Sequence, residues 1–377
     1  MASKKLTAAQ IRAEKESAFL DWLVQEYAPE LAEKKTKAAT KASVKGIATQ
    51  QMFIAEVSKA IESIRGKYVA PAVTARATTT EPEKALVLTL SDLHYGAALD
   101  PREVPMAYGP FEESRRTAAV VQRVATHRTL AERKKMDLHV NLAGDIIQNQ
   151  LHDPRDGAPL AEQFAAAMHL LAQAFTYLAN AGYRSVTVHC TPGNHGRNAA
   201  RHSQRATNQK WDAIETMLYY SLSVAMSTVP NVKFDIPYRP FVTYSVLGHN
   251  FFVTHGDTVI KPGFPGTNID VGGVRKQINE INAARIDSQQ YNVFICGHVH
   301  TSSRTKIRDN TYFITNGCLI PTDAYAVSVG YFDTPTCQTM FEVTKQHAVG
   351  NFCDIDVGPA NDKDKSLDKI LTPFGGL

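Results

Sequence analysis

The chain has 377 residues, 44% of them hydrophobic and 21% charged, which is longer than one ordinary domain and rich enough in apolar material for a large core with an appendage. Five cysteines, at 190, 296, 318, 337 and 353, form no Cys-x-x-Cys pair, which argues against a disulfide framework and a thiolate zinc site and for a reducing compartment. The N-terminus lacks the apolar stretch of a signal peptide and no run approaches membrane-spanning length, so a soluble cytoplasmic protein is expected, and the net charge of +4 lies unevenly along it.

Residues 1–80 hold 13 Lys/Arg against 8 Asp/Glu, and the remainder holds 28 against 29. The whole positive excess therefore belongs to the N-terminal segment. Leu20, Leu23, Val24, Tyr27 and Leu31, then Phe53, Val57, Ile61 and Ile64, recur at helical spacing and predict a basic helical segment over 1–66. Between them, Ala42, Gly46, Ile47 and Met52 resemble the turn of a helix-turn-helix, and an ordinary helical hairpin or a partner-docking arm fits equally well. Residues 67–84, with Pro71 and Pro82 in an Ala/Thr-rich stretch, read as a linker.

From 85 the pattern changes to short apolar runs that alternate with helical ones. Strands are predicted at Ala85 to Leu90, Leu138 to Leu142 and Ser185 to Cys190, with helices near 112–134, 160–180 and 209–226. Further strands are expected at Phe241 to Leu247, Asn250 to Thr254, Val293 to Cys296, Tyr312 to Thr315, Ala326 to Tyr331 and Thr339 to Val343. βαβ units followed by closer-spaced strands predict an α/β domain over 85–356: two mixed sheets packed face to face, with helices outside. Residues 357–377 hold too few apolar side chains for another element and read as a C-terminal tail.

Five short blocks close these apolar runs: Ser91-Asp92-Leu93-His94, Gly144-Asp145, Gly193-Asn194-His195, His255-Gly256-Asp257 and Gly297-His298-Val299-His300. A donor just after a strand is held by a rigid sheet while its side chain projects from the edge, as a preorganised cation site requires. All the donors are oxygen or nitrogen, which suits Mn, Fe, Zn, Co or Ni without choosing among them. His139 and His189 sit inside strands and read as core or hydrogen-bonded residues; Asp257 reads either as an acceptor for His255 or as a turn residue.

In this order the blocks resemble the calcineurin-like metallophosphoesterase superfamily, over about residues 86–300. The resemblance implies a four-layer αββα fold and two divalent cations. Asp92, His94 and His300 would hold the first, Asn194, His255 and His298 the second, and Asp145 would bridge them. A bridging carboxylate spans cations roughly 3.5 to 4 Å apart. Manganese is the metal expected by analogy with nuclease members, and the implied reaction is in-line attack on phosphorus by a metal-bridging hydroxide. His195 would touch the phosphate or protonate the leaving oxygen without binding metal. Two residues depart from the pattern: Gly196 and Gln148 stand where many relatives carry carboxylates that orient the histidine or raise its basicity.

Arg197, Arg201, His202, Arg205 and Lys210 follow the Gly-Asn-His block and are expected near the site mouth, where Arg197, Arg201 and Arg205 would bind substrate phosphates. The basic helix with Arg115, Arg116, Arg123, Arg128, Arg133, Lys134 and Lys135 reads as a solvated face. With the basic N-terminal segment, these features favour a phosphodiesterase or nuclease acting on DNA or RNA, similar to the repair-nuclease branch and to bacteriophage-borne proteins of this type. A small-substrate phosphatase or nucleotide phosphodiesterase with a protein-docking arm stays open, as does a weakly active nucleic-acid-binding member.

Overall fold

The computed structural model describes residues 81–375 apart from 101, 151–156, 199–209, 266–267, 329 and 333. The helical segment expected over 1–66 and most of the linker expected over 67–84 lie outside the described residues. The described chain first alternates strand and helix: β1 (Lys84–Leu90), α1 (Pro110–Ala125), α2 (Leu130–Arg133), β2 (Met136–Leu142), α3 (Leu160–Ala179), β3 (Val186–Cys190), α4 (Ile214–Ala225) and β4 (Val232–Asp235). Next come β5 (Phe241–Val246), β6 (His249–Thr254), α5 (Val271–Ala283), β7 (Val293–Cys296), β8 (Ser303–Arg308) and β9 (Thr311–Thr315). The chain closes with α6 (Ala324–Ser328), β10 (Cys337–Val343), β11 (Gly350–Asp356) and α7 (Pro359–Lys363).

These strands form two mixed sheets, in the orders β11-β10-β1-β2-β3-β4 and β5-β6-β7-β9-β8. In the first sheet β1 to β4 are parallel, and β10 and β11 add antiparallel at one side. β1 is an almost unbroken apolar run, buried from Ala85 on, as a strand covered on both faces must be. Val87, Phe341 and Val343 of this sheet pack with Phe251, Val253, Ile295 and Ile314 of the other in one core between the sheets. On the outer face of the second sheet, Val274 and Ile278 of α5 pack with Phe252, Phe294 and Phe313. Helices flank the first sheet, where α1 and α3 pack against each other. The α/β architecture with two packed, helix-flanked sheets is thus the one expected.

Three local expectations need correction. Ala326 to Tyr331 is not a strand: Asp323 accepts the Ala326 N–H (2.7 Å), and this N-cap-type bond opens the short helix α6 instead. The edge strands β4, β8 and β11 escaped the sequence reading because their residues, VKFD, SRTKIR and GNFCDID, leave no apolar run, as suits a sheet edge protected from mispairing.

The third correction joins the C-terminal segment to the basic helix. Residues after 357 form α7 and a 3-10 turn over Lys365–Lys369, with Leu367 and Leu371 buried. Arg115 grips Asp368 with two bonds (2.8 and 2.9 Å), and Arg116 grips Asp362 likewise (2.8 and 2.7 Å). Arg115 and Arg116 are therefore buried ion-pair partners rather than part of a solvated face. The segment docks through charge complementarity and two leucines, a pattern that apolar content alone does not register. Arg116 also donates to the Leu319 carbonyl (2.6 Å), and the Leu319 N–H donates to the Asp92 carbonyl (3.0 Å), so this docking reaches the loop that carries Asp92. Among the described residues no helix is long and apolar enough to cross a membrane.

Removing one partner of a buried pair leaves an uncompensated charge, so Asp362→Ala should lower stability by about 3–5 kcal/mol in urea unfolding. Glu83→Ala, which breaks the exposed Lys135–Glu83 pair, should cost under about 1 kcal/mol. Equal, small effects of the two changes would show that the C-terminal segment is not held by Arg116.

Candidate metal centre

Every predicted donor follows the C-terminal end of a strand. Asp92 and His94 follow β1, Asp145 follows β2, Asn194 follows β3, His255 follows β6, and His298 and His300 follow β7. Backbone bonds tie these loops together: Asp92 N–H to Gly144 O (3.0 Å), His94 N–H to Asp145 O (3.1 Å) and Gly297 N–H to His255 O (2.8 Å). Strand alternation does not place Asp92 and His94. Both residues have left-handed φ, 54° and 50°, because the chain has already turned off the sheet.

That backbone conformation marks the site. Nine non-glycine residues among those described have positive φ, and five of them are Asp92, His94, Asp145, His298 and His300. Asp and His tolerate the region better than most residues, yet each such conformation costs about 1–3 kcal/mol and persists where the surroundings impose it. Gly144 completes the turn at φ +87°, where an added Cβ would lie 2.8 Å from His255 Nδ1.

The side chains converge. Donor atoms of Asp92, His94 and His300 lie within 4.8 Å of one another, as do those of Asp145, His255 and His298, and those of His94, Asp145 and His195. Asp145 Oδ2 sits 3.0 Å from His255 Nε2, whose other neighbour is Asn194 Oδ1 at 3.0 Å. His94 Nε2 faces His300 Nε2 at 3.4 Å, and His300 Nε2 lies 3.4 Å from Asp92 Oδ1. The seven predicted donors are thus one continuous cluster.

Partners around the cluster fix which atoms face inward. His94 Nδ1 donates to Gln148 Oε1 (2.7 Å) and His255 Nδ1 to the Ala143 carbonyl (2.8 Å), which turns both Nε2 atoms toward the other donors. Gln148, where a carboxylate was missed from the sequence pattern, therefore orients His94. Its own carbonyl accepts from His195 Nδ1 (2.6 Å), so the ring of His195 is also held without a carboxylate. Asp92 accepts from Ser91 Oγ (2.6 Å) and from the His298 N–H (3.1 Å), and Asn316 in turn donates to Ser91 Oγ (2.9 Å). Asn316, and Gln338 beside it, were not singled out in the sequence; they lie more than 200 residues from Ser91 and carry no local motif.

Electrostatics divide the imidazoles into two kinds. Burial, then the neighbouring His195 and His300, push His94 down to about 3, and burial with His255 pushes His298 down to about 4, so both hold open lone pairs at neutral pH. Burial would also lower His255, but the charge and hydrogen bond of Asp145 outweigh it and raise it to about 9. His300 is raised for a similar reason: against burial, Cys318 and Asp92 favour its charged form. Burial would raise Asp92, yet the hydrogen bond and charge of His300 hold it below the ordinary carboxylate value. Protons on His255 and His300 thus supply the positive charge that two buried carboxylates demand. A divalent cation supplies the same charge while using every inward lone pair, and the all-oxygen-and-nitrogen donor set fits one.

The flanking candidates separate. Arg197 is half-buried beside the cluster, its backbone paired with Ala213 and its carbonyl bonded to Asn149 Nδ2 (2.8 Å). Arg201, His202 and Arg205 lie outside the described residues. Lys210 is buried in an ion pair with Asp257, so Asp257 serves Lys210 rather than His255. His139 and His189 stack 5.4 Å apart between the sheets, away from the donors, with Tyr244 on His189 at 3.7 Å.

No family model and no curated protein matches the chain. Solved structures to which the chain shows some similarity include a predicted phosphoesterase from Streptococcus pneumoniae, at 12% identity over 72% of this chain and 97% of that one, with a TM-score of 0.30. The phosphoesterase YfcE of E. coli is 14% identical, over 72% of this chain and all of its own, with a TM-score of 0.30. Vps29 of Entamoeba histolytica, complexed with Zn²⁺, is 12% identical over 72% of this chain and 99% of that one, again at 0.30.

Since His255 is protonated below about 9 in the metal-free protein, cation binding must expel that proton. Mn²⁺ affinity should therefore climb about tenfold per pH unit for each proton displaced as the pH rises from neutral toward 9. Calorimetry in buffers of different ionisation enthalpy counts the protons; binding without proton release and without pH dependence would contradict this geometry. Asp145→Asn should lower the metal content by elemental analysis. His195→Ala should leave the metal content intact, and loss of metal in that variant would make His195 a ligand.

Proposed function

We propose that the protein is a two-metal phosphoesterase that hydrolyses phosphodiesters of nucleic acid. The observation that carries this reading is the place of Asp145: it belongs to two donor groups, one with His94 and one with His255 and His298. A carboxylate in that position suits a bridge between two cations. Asp92, His94 and His300 would hold one, and Asn194, His255 and His298 the other, with manganese the proposed metal. Bound there, divalent cations supply Lewis acidity, which lowers the pKa of water and offsets the charge that develops on phosphoryl oxygens.

The remaining steps fall to the chain's own residues. Asp145 Oδ1 accepts the His195 N–H (2.7 Å), so the bridging carboxylate and the histidine move as one unit. His195 Nδ1 donates to the Gln148 carbonyl, which leaves Nε2 as the ring atom that would serve the leaving oxygen as general acid. Arg197, with Arg201 and Arg205 from the adjoining segment, would grip flanking phosphates. A polymer is favoured over a small ester by the positive excess of residues 1–80, which would serve as a nucleic-acid or partner-binding arm. One observation favours a small phosphoester instead: Lys210, a member of the same basic cluster, is already neutralised by Asp257.

Labelled single- and double-stranded DNA and RNA, offered beside a chromogenic diester and monoester with Mn²⁺ or chelator, separate these readings. We expect metal-dependent cutting of a polymer that Asp145→Asn lacks and that His195→Ala slows by about 10²–10⁴-fold. Turnover of small esters alone would replace the nuclease reading with the small-substrate one. Tight polymer binding with no turnover would replace it with a binding protein.

A further inference from the structure

Glu215, in the first turn of α4, is fully buried and has no place in the motif blocks. Its Oε1 accepts the Ile146 N–H (2.5 Å) and its Oε2 accepts the Gly193 N–H (2.7 Å). Ile146 directly follows Asp145, and Gly193 directly precedes Asn194. A single carboxylate therefore links the loop that carries the proposed bridging donor to the loop that carries a donor of the second cation.

A third contact explains position 196. The Gly196 carbonyl accepts the Ile214 N–H (2.8 Å), which brings the start of α4 against the loop after His195. A Cβ at 196 would fall 2.6 Å from both Cγ and Cδ of Glu215. Position 196 must stay bare for Glu215 to reach both amides. The glycine that interrupts the expected acidic pattern and the buried glutamate on α4 are two halves of one arrangement.

We infer that Glu215 is the positioning residue of this centre, setting the separation between the Asp145 and Asn194 loops from the helix behind them. Two bonds accepted from backbone N–H groups hold a loop pair rigidly, whereas an amide could accept only one of them and would turn its NH₂ toward the other. The inference rests on the cation-binding reading given above, and its test separates the two.

The test is titration of the metal-free full-length protein with Co²⁺, followed by visible absorption, which reports both affinity and coordination geometry. Glu215→Gln should unfold cooperatively yet bind Co²⁺ about 10–100-fold more weakly, with a changed spectrum. Gly196→Ala, which displaces the carboxylate without removing it, should weaken binding in the same sense and serves if Glu215→Gln does not fold. Adding Gly196→Ala to Glu215→Ala should cost nothing further, because the clash is gone. Wild-type affinity and spectrum in Glu215→Gln, or additive losses in the double variant, would overturn the positioning role. Failure of the wild-type protein to bind Co²⁺ would overturn the cation reading, and this inference with it.

Discussion

Two carboxylates, Asp92 and Asp145, are buried within one small cluster, and nearly everything else about the site follows from the need to balance them. Buried like charges are tolerable only against positive charge close by. In the metal-free protein His255 and His300 provide it as protonated imidazoles, while His94 and His298, pushed low by burial, stay neutral. A cation in the same place would engage neutral and charged side chains together. The two arrangements are alternative answers to one electrostatic demand.

The fold meets that demand by bringing strand ends together from two sheets. Parallel strands β1, β2 and β3 send out Asp92, Asp145 and Asn194, while β6 and β7 send out His255 and His298 from the facing sheet. The core between the sheets fixes the distance between those ends, and left-handed turns aim the side chains across it. The strain in the turns is offset by packing well away from the site. Part of the restraint is remote: Asp362 holds Arg116, Arg116 holds the Leu319 carbonyl, and Leu319 holds the Asp92 backbone. A C-terminal segment that reads as a tail thereby steadies the first donor loop.

What could be read from the sequence was whatever is local in it. An apolar run that ends in Asp-x-His or Gly-Asn-His announces a strand and a candidate ligand in one stretch, so the two-sheet architecture and the seven side chains that cluster at the strand ends were legible. The residues that hold those donors were not. Asn316 and Gln338 reach Ser91 across more than 200 positions, and Glu215 is an unremarked glutamate in a helix. Charge also misled where pairing was invisible: Arg115 and Arg116 read as a solvated face because their partners, Asp368 and Asp362, lie in a segment with little apolar content. Gln148 misled in the other direction, since the loss of a carboxylate looked like a loss of orientation, whereas its amide oxygen and backbone carbonyl orient two histidines.

The proposed centre holds two cations with Asp145 between them. Anomalous diffraction at the manganese edge from crystals grown with Mn²⁺ tests this most directly. It predicts two peaks about 3.5–4 Å apart, one against Asp92, His94 and His300, the other against Asn194, His255 and His298, with Asp145 touching both. A single peak that leaves one set of donors unused, or no peak in the cluster at saturating Mn²⁺, would contradict it.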